Sequence, residues 1–171
     1  MMKSVNPSHA QTTLSRVVEH PSRDNDPRQL GRIFGDAGRG VVSVDYHVMV
    51  VDDDAGMLQL IEVILKRHRF SISKATDGFT ALEMLETETP DILILDVMMP
   101  EMDGIELCHR IRAIPKLQYT PIIILSAKSD LETVRRGIQA GANAYLSKTM
   151  LASGLVPEIK KLLNHEVKGF S

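Results

Sequence analysis

Six polar side chains close apolar runs in this chain, and their types could share one chemistry. Asp52, Asp53 and Asp54 follow "VMVV" (48–51), Asp96 follows "ILIL" (92–95), Ser126 follows "IIIL" (122–125), and Lys148 follows "AYLS" (144–147). Two carboxylates about 4 Å apart repel by roughly 4 kcal/mol at an effective dielectric near 20, so such a cluster either keeps a proton or attracts a cation. Three acids (Asp52, Asp53, Asp96) against one ammonium (Lys148) leave the charge that a hard divalent ion such as Mg²⁺ balances. A carboxylate can also act as a nucleophile toward phosphorus. An ammonium and a hydroxyl are suitable donors to the oxygens of the transferred group.

These residues converge only if the elements carrying them lie side by side. The runs 47–51, 91–95 and 121–125 are short, apolar and rich in β-branched residues, as strands buried on both faces are. "FSISK" (70–74) alternates like an edge strand, and "NAYLS" (143–147) is a weaker fifth strand. Helical periodicity fills the gaps. Leu58, Ile61, Ile64 and Leu65 share a face, as do Leu131, Val134 and Ile138, and then Val156, Ile159, Leu162 and Leu163. Asp54 is expected to cap the first helix, and capping boxes are expected at Asp103 with Glu106 and Ser129 with Glu132. Alternating strands and helices imply an α/β fold, with a parallel sheet covered on both faces. Ligands bind beyond the carboxyl ends of such strands, where the six polar residues stand.

Bulk properties fit a single domain from 45 to 171 with an N-terminal arm. The net charge of −2 gives no general attraction to nucleic acid or membrane. One cysteine, Cys108, excludes an internal disulfide and suits a reducing compartment. No signal-peptide or membrane-spanning run is present, so a cytoplasmic protein without membrane insertion is expected. Residues 1–44, broken by Pro7, Pro21, Pro27 and four glycines, read as a disordered arm. The six histidines show no metal-ligand spacing. Met57, Met84, Met98, Met99 and Met102 read as packing or turn residues, and Cys108 as an inert apolar side chain.

Four segments, "VVDDD" (50–54), "DILILDVMMPEMDG" (91–104), "PIIILSA" (121–127) and "GANAYLSK" (141–148), resemble the receiver domain of two-component response regulators over about residues 46–166. The resemblance implies a flavodoxin-like sheet of strand order 2-1-3-4-5. It implies that Asp96 accepts a phosphoryl group from a histidine kinase or a histidine phosphotransfer protein. Asp52, Asp53, Asp96 and the backbone carbonyl of Met98 would hold Mg²⁺. Lys148 and Ser126 would contact the phosphoryl group, and Tyr145 would be the aromatic switch residue. Met98 and Lys128 match positions that modulate hydrolysis, and a methionine there implies slow self-dephosphorylation. The domain would be a phosphoacceptor rather than an enzyme acting on a separate substrate.

One departure is local. The family usually has proline after its lysine, whereas this chain has Lys148–Thr149, for which a trans bond is expected. A haloacid-dehalogenase-type phosphatase would need an acidic metal pair beyond the lysine, and only Glu158 and Glu166 lie there, both in a helical pattern. The other alternative is a receiver fold used as a constitutive binding module. Because the chain stops just past the last expected helix, a single-domain regulator is expected. It would signal by protein–protein contact through a face that includes Tyr145, rimmed by Arg135, Arg136, Lys160 and Lys161, without direct nucleic acid binding.

Overall fold

The computed structural model describes residues 45–127 and 130–168, with side chains to Asn164. The expected arm, Lys128 and Ser129 lie outside the described residues. Five strands alternate with five helices: β1 (His47–Val51), α1 (Ala55–Lys66), β2 (Ser71–Ala75), α2 (Gly78–Thr87), β3 (Ile92–Asp96), α3 (Gly104–Arg112), β4 (Ile122–Ser126), α4 (Leu131–Gln139), β5 (Ala144–Ser147) and α5 (Leu151–Lys168). Short 3₁₀ turns occupy Pro115–Leu117 and Lys148–Met150. The strands form one parallel sheet in the order β2-β1-β3-β4-β5, as expected. Among the described residues, no helix is long and apolar enough to cross a membrane.

Alternation within each inner strand divides its side chains between two cores. Met49, Val51, Leu93, Leu95, Ile122 and Ile124 face the side covered by α2 and α3. Val48, Val50, Ile92, Ile94, Ile123 and Leu125 face α1 and α5, where they meet Leu58, Ile61, Leu65, Leu155 and Ile159. Each fully buried aliphatic side chain contributes about 1.5–3 kcal/mol of transfer free energy. The sheet centre is therefore the firm part of the molecule. The edge strands differ, since β5 has no fully buried residue and β2 has one, Ala75.

Strands β2, β3 and β4 run one residue further toward the carboxyl end than their sequence patterns indicate. The ladder accounts for the shift. Asp96 pairs with Leu125, and Ser126 pairs with Ser147, so these polar residues finish the strands and do not sit in loops beyond them.

Helix starts were legible in part. Asp54 Oδ1 accepts from the amides of Gly56 (2.8 Å) and Met57 (3.2 Å), as expected of the α1 cap. Asp103 accepts from the Glu106 amide at 2.8 Å, but the Glu106 carboxylate binds Arg110 Nε at 2.7 Å, so the box stays half formed. At α4 the cap is Asp130, which accepts from the Thr133 amide (2.9 Å) and its hydroxyl; the box expected at Ser129 falls on a residue outside those described.

The apolar face read for α4 is also corrected. Leu131 is 83 % exposed and Ile138 49 % exposed, and the buried residue of this helix is Gly137. The reason is steric. A Cβ on Gly137 would stand 2.8 Å from Ile124 Cδ1, so the helix meets the sheet along its glycine, with Leu131 and Ile138 turned outward and Val134 half-buried.

Candidate functional site

Register brings the acids together. Val51 pairs with Leu95, so Asp52 and Asp96 are the next residues on neighbouring central strands, and both are buried to within 2 %. The Asp52 amide continues the ladder by donating to the Ala75 carbonyl at 3.2 Å, while Asp52 Oδ1 accepts from the Asp54 amide at 3.0 Å. Asp53 is exposed beside them. One carboxylate oxygen from each of Asp52, Asp53 and Asp96 lies within 4.8 Å of the others.

Lys148 reaches this cluster from the far side of the sheet. Its Nζ stands 2.8 Å from Asp52 Oδ2 and 3.2 Å from Asp96 Oδ1. Those two oxygens are buried, and the ammonium is the cation that faces both of them. Burial, followed by the Asp52 charge, pushes the Asp96 carboxyl above the ordinary carboxylate range, against the pull of Lys148 and of the Met98 amide. Burial would lower the Lys148 ammonium, but its contacts with Asp52 and Asp96 outweigh that and raise it.

Three carboxylates that each bring an oxygen within 4.8 Å of the others fit a hard divalent cation. The donors are all oxygen, and one ammonium cannot neutralise the cluster. Ser126 is fully buried at the end of β4, and its neighbour in the next strand is Ser147, directly before Lys148. Tyr145, one strand further out, is half-buried and packs on the α2/α3 core beneath α4. Its ring would lie 3.5 Å from a Cβ on Gly137. Met98 is 52 % exposed, unlike buried Met99 and Met102, so it is not a packing residue. Arg135, Lys160 and Lys161 are exposed on α4 and α5; Arg136 Nη2 is 3.7 Å from Asp103 Oδ2 and lines a cleft of about 320 Å³ with Val97, Met98, Met99, Asp103 and Thr133.

Two features of the site lay beyond the sequence reading. Gly104 looks like a turn residue in "PEMDG", yet a Cβ there would stand 2.0 Å from the Asp96 carbonyl oxygen. The first turn of α3 thus rests on the backbone of Asp96 itself. Arg112 was not singled out, yet it donates to the carbonyls of Gly141 (2.9 Å) and Thr120 (2.8 Å) and to Asn143 Oδ1 (2.8 Å). It ties the α3 end to the turn before β5, where Gly141 has φ +100°. Cys108 is buried, its thiol pushed up by burial, as expected of an inert residue.

The profile of the response regulator receiver domain matches residues 48–160. The chain belongs to this family. The transcriptional regulatory protein CseB of Streptomyces coelicolor is 38% identical over 117 residues, 68% of this chain and 49% of CseB. The receiver domain of a signal transduction histidine kinase from Syntrophus aciditrophicus superposes with a TM-score of 0.67 at 30% identity, covering 74% of this chain and 95% of that one. Vibrio cholerae chemotaxis protein CheY4 gives a TM-score of 0.66 at 27% identity, with coverage of 68% and 98%. The chain spans about half the length of the curated relatives it matches. A receiver domain thus occurs in a transcriptional regulator, a histidine kinase and a chemotaxis protein, so membership of the family does not define the output.

Proposed function

We propose that the domain receives a phosphoryl group on Asp96 from a phosphohistidine of a histidine kinase or phosphotransfer protein, and signals through a protein–protein surface. The observation that carries this reading is the pair of buried carboxylates, Asp52 and Asp96, that share the Lys148 ammonium and converge with Asp53. In the transfer, an Asp96 oxygen attacks phosphorus, the P–N bond to the donor imidazole breaks, and an acyl phosphate forms. Asp52, Asp53, Asp96 and the Met98 carbonyl would hold Mg²⁺, which would neutralise the charge of the incoming dianion. Lys148 sits where it can shift its ion pair from Asp96 toward an added phosphoryl oxygen, and Ser126 has its hydroxyl at the neighbouring strand end.

Output would follow from the lightly seated part of the site. Ser126 and Tyr145 lie on adjacent strands under α4, whose Leu131 and Ile138 are exposed. A Ser126 hydroxyl drawn toward the phosphoryl group would free space beneath that helix for Tyr145.

Intact mass measurement after incubation with acetyl phosphate tests the reading. A gain of one phosphoryl group that requires Mg²⁺ and vanishes in Asp96→Asn is the expected result. No gain with either acetyl phosphate or a phosphorylated histidine phosphotransfer protein would favour the constitutive binding module.

A further inference from the structure

Lys148 is the first residue of the 3₁₀ turn Lys148–Met150, directly after β5. A lysine stem has four rotatable bonds and gives up about 2 kcal/mol of rotamer freedom when fixed, so a directed ammonium needs its backbone held firmly. A three-residue 3₁₀ turn supplies little of that, because its own hydrogen-bond geometry is poor. The flanking residues supply the rest. Ser147 Oγ accepts from the Thr149 amide at 3.3 Å and stands 2.9 Å from Thr149 Oγ1, so two hydroxyls and one amide close a ring around Lys148. Thr149 keeps the N–H that a proline would lack, and the serine takes it up. On the strand side, Ser147 is held by its pairing with Ser126. On the helix side, α5 starts at Leu151 and packs closely through Gly154, where a Cβ would stand 3.1 Å from Leu146 Cδ1. The Lys148 side chain is left 17 % exposed with its Nζ on both buried acids.

We propose that the Ser147–Thr149 hydroxyl pair is the positioning device of Lys148: it fixes the turn so that the ammonium points at Asp52 and Asp96. On this proposal Ser147 and Thr149 act through Lys148 rather than on the reacting atoms. The consequence for phosphotransfer rests on the reading of Asp96 as phosphoacceptor, whereas the aim of the lysine does not.

The first arm therefore uses no phosphate. The full chain, metal-free, is treated with an amine-acetylating reagent, and the rate at Lys148 is read by peptide mass spectrometry against exposed Lys160. Ser147→Ala is expected to speed Lys148 labelling about two- to tenfold, the range one hydrogen bond commands, and Ser147→Thr to restore it. Thr149→Val, which keeps the branched shape, should show a smaller rise and serves where Ser147→Ala does not fold. Unchanged Lys148 labelling in folded variants overturns the proposal.

The second arm measures Mg²⁺-dependent labelling of Asp96 by acetyl phosphate in a double-mutant cycle. Ser147→Ala should slow the reaction in the native background and add nothing once Lys148→Ala is present. Equal slowing in both backgrounds would show that the pair acts on the fold alone, and would also overturn it. A wild-type chain that takes no phosphoryl group would defeat the phosphoacceptor reading, while the first arm still decides the positioning.

Discussion

The acidic pocket has two unlike walls. On one side, β1 and β3 have four and five buried residues respectively, and α3 has five. On the other, β5 has none and α4 has one, a glycine. The carboxylates stand on the firm wall, while Lys148, Tyr145 and the helix above them stand on the light one. Such a division suits a switch. Clustered like charges must be held in place against their mutual repulsion, which requires the packing density of a core. An element that reports a new charge must move at a cost of a few kcal/mol, and regions with few buried apolar contacts open most easily.

The largest effect expected from this contrast is on stability. Ile61→Ala, in α1, removes a fully buried side chain and should cost about 2–5 kcal/mol. Ile138→Ala, in α4, removes a side chain that is 49 % exposed and should stay within about 0.5 kcal/mol. Urea unfolding of both variants checks the difference. Comparable losses would mean that α4 is as firmly seated as α1.

Two glycines sharpen the same point at closer range. Gly104→Ala drives a Cβ into the Asp96 carbonyl, which is backbone of a central strand and cannot turn aside. A loss of about 1–3 kcal/mol is expected, together with impaired labelling of Asp96. Gly137→Ala meets the terminal methyl of Ile124 closely and the Tyr145 ring at ordinary contact distance, both side chains that can yield, and alanine recovers up to about 1 kcal/mol of helix propensity. Near-neutral stability is expected there. Thermal melts and acetyl phosphate labelling of the pair would separate the walls.

Much of the firm wall was legible in the sequence, because strand burial and helix periodicity write directly into residue type. The runs ending at Asp52, Asp96 and Ser126 gave the sheet, its order through the resemblance, and the convergence of the acids. Less of the light wall was legible. The stripe Leu131, Val134, Ile138 has the spacing of a buried face, but periodicity records only that apolar residues are aligned. Which side meets the sheet was decided by Gly137 against Ile124, a contact between distant residues. Gly104 and Arg112 escaped for the same reason: a turn glycine and a helical arginine look ordinary until the fold shows what touches them.

A smaller effect concerns charge on the firm wall. In the metal-free protein, burial and then Asp52 hold the Asp96 carboxyl above its ordinary range. Between a carboxylate's usual value near 4 and the raised one, the folded state binds more proton than the unfolded state. Stability must therefore fall as pH rises through that window, by at most about 1.4 kcal/mol per pH unit for one group. Glu62, lowered to about 2 by hydrogen bonds from Lys66 and then Lys74, has the opposite sign, and its contribution is lost only as pH falls below its ordinary range. Urea unfolding from pH 4 upward should show the decline in wild type and a flatter profile in Asp96→Asn. An unchanged slope in the variant would assign the decline elsewhere.

The smallest expected effect tests whether backbone strain belongs to the site or merely to turns. Glu101, in the loop between β3 and α3, has φ +64°, and the Met102 amide donates across it to the Pro100 carbonyl at 2.7 Å. Arg69, at the end of α1 and far along the chain from the loop, has φ +62°. A left-handed conformation costs an ordinary residue about 1–2 kcal/mol, and glycine relieves it at an unfolded-state entropy cost of roughly 0.5–1 kcal/mol. Glu101→Gly and Arg69→Gly should each gain a few tenths to about 1 kcal/mol. Only Glu101 shares a loop with Met98, which borders Asp96 through its amide. The strain is part of the site if Glu101→Gly alters the rate of Asp96 labelling while Arg69→Gly leaves it alone. If both variants gain stability and neither changes the rate, the left-handed residues are turn chemistry, and the firmness of the wall resides in the strands and in Gly104.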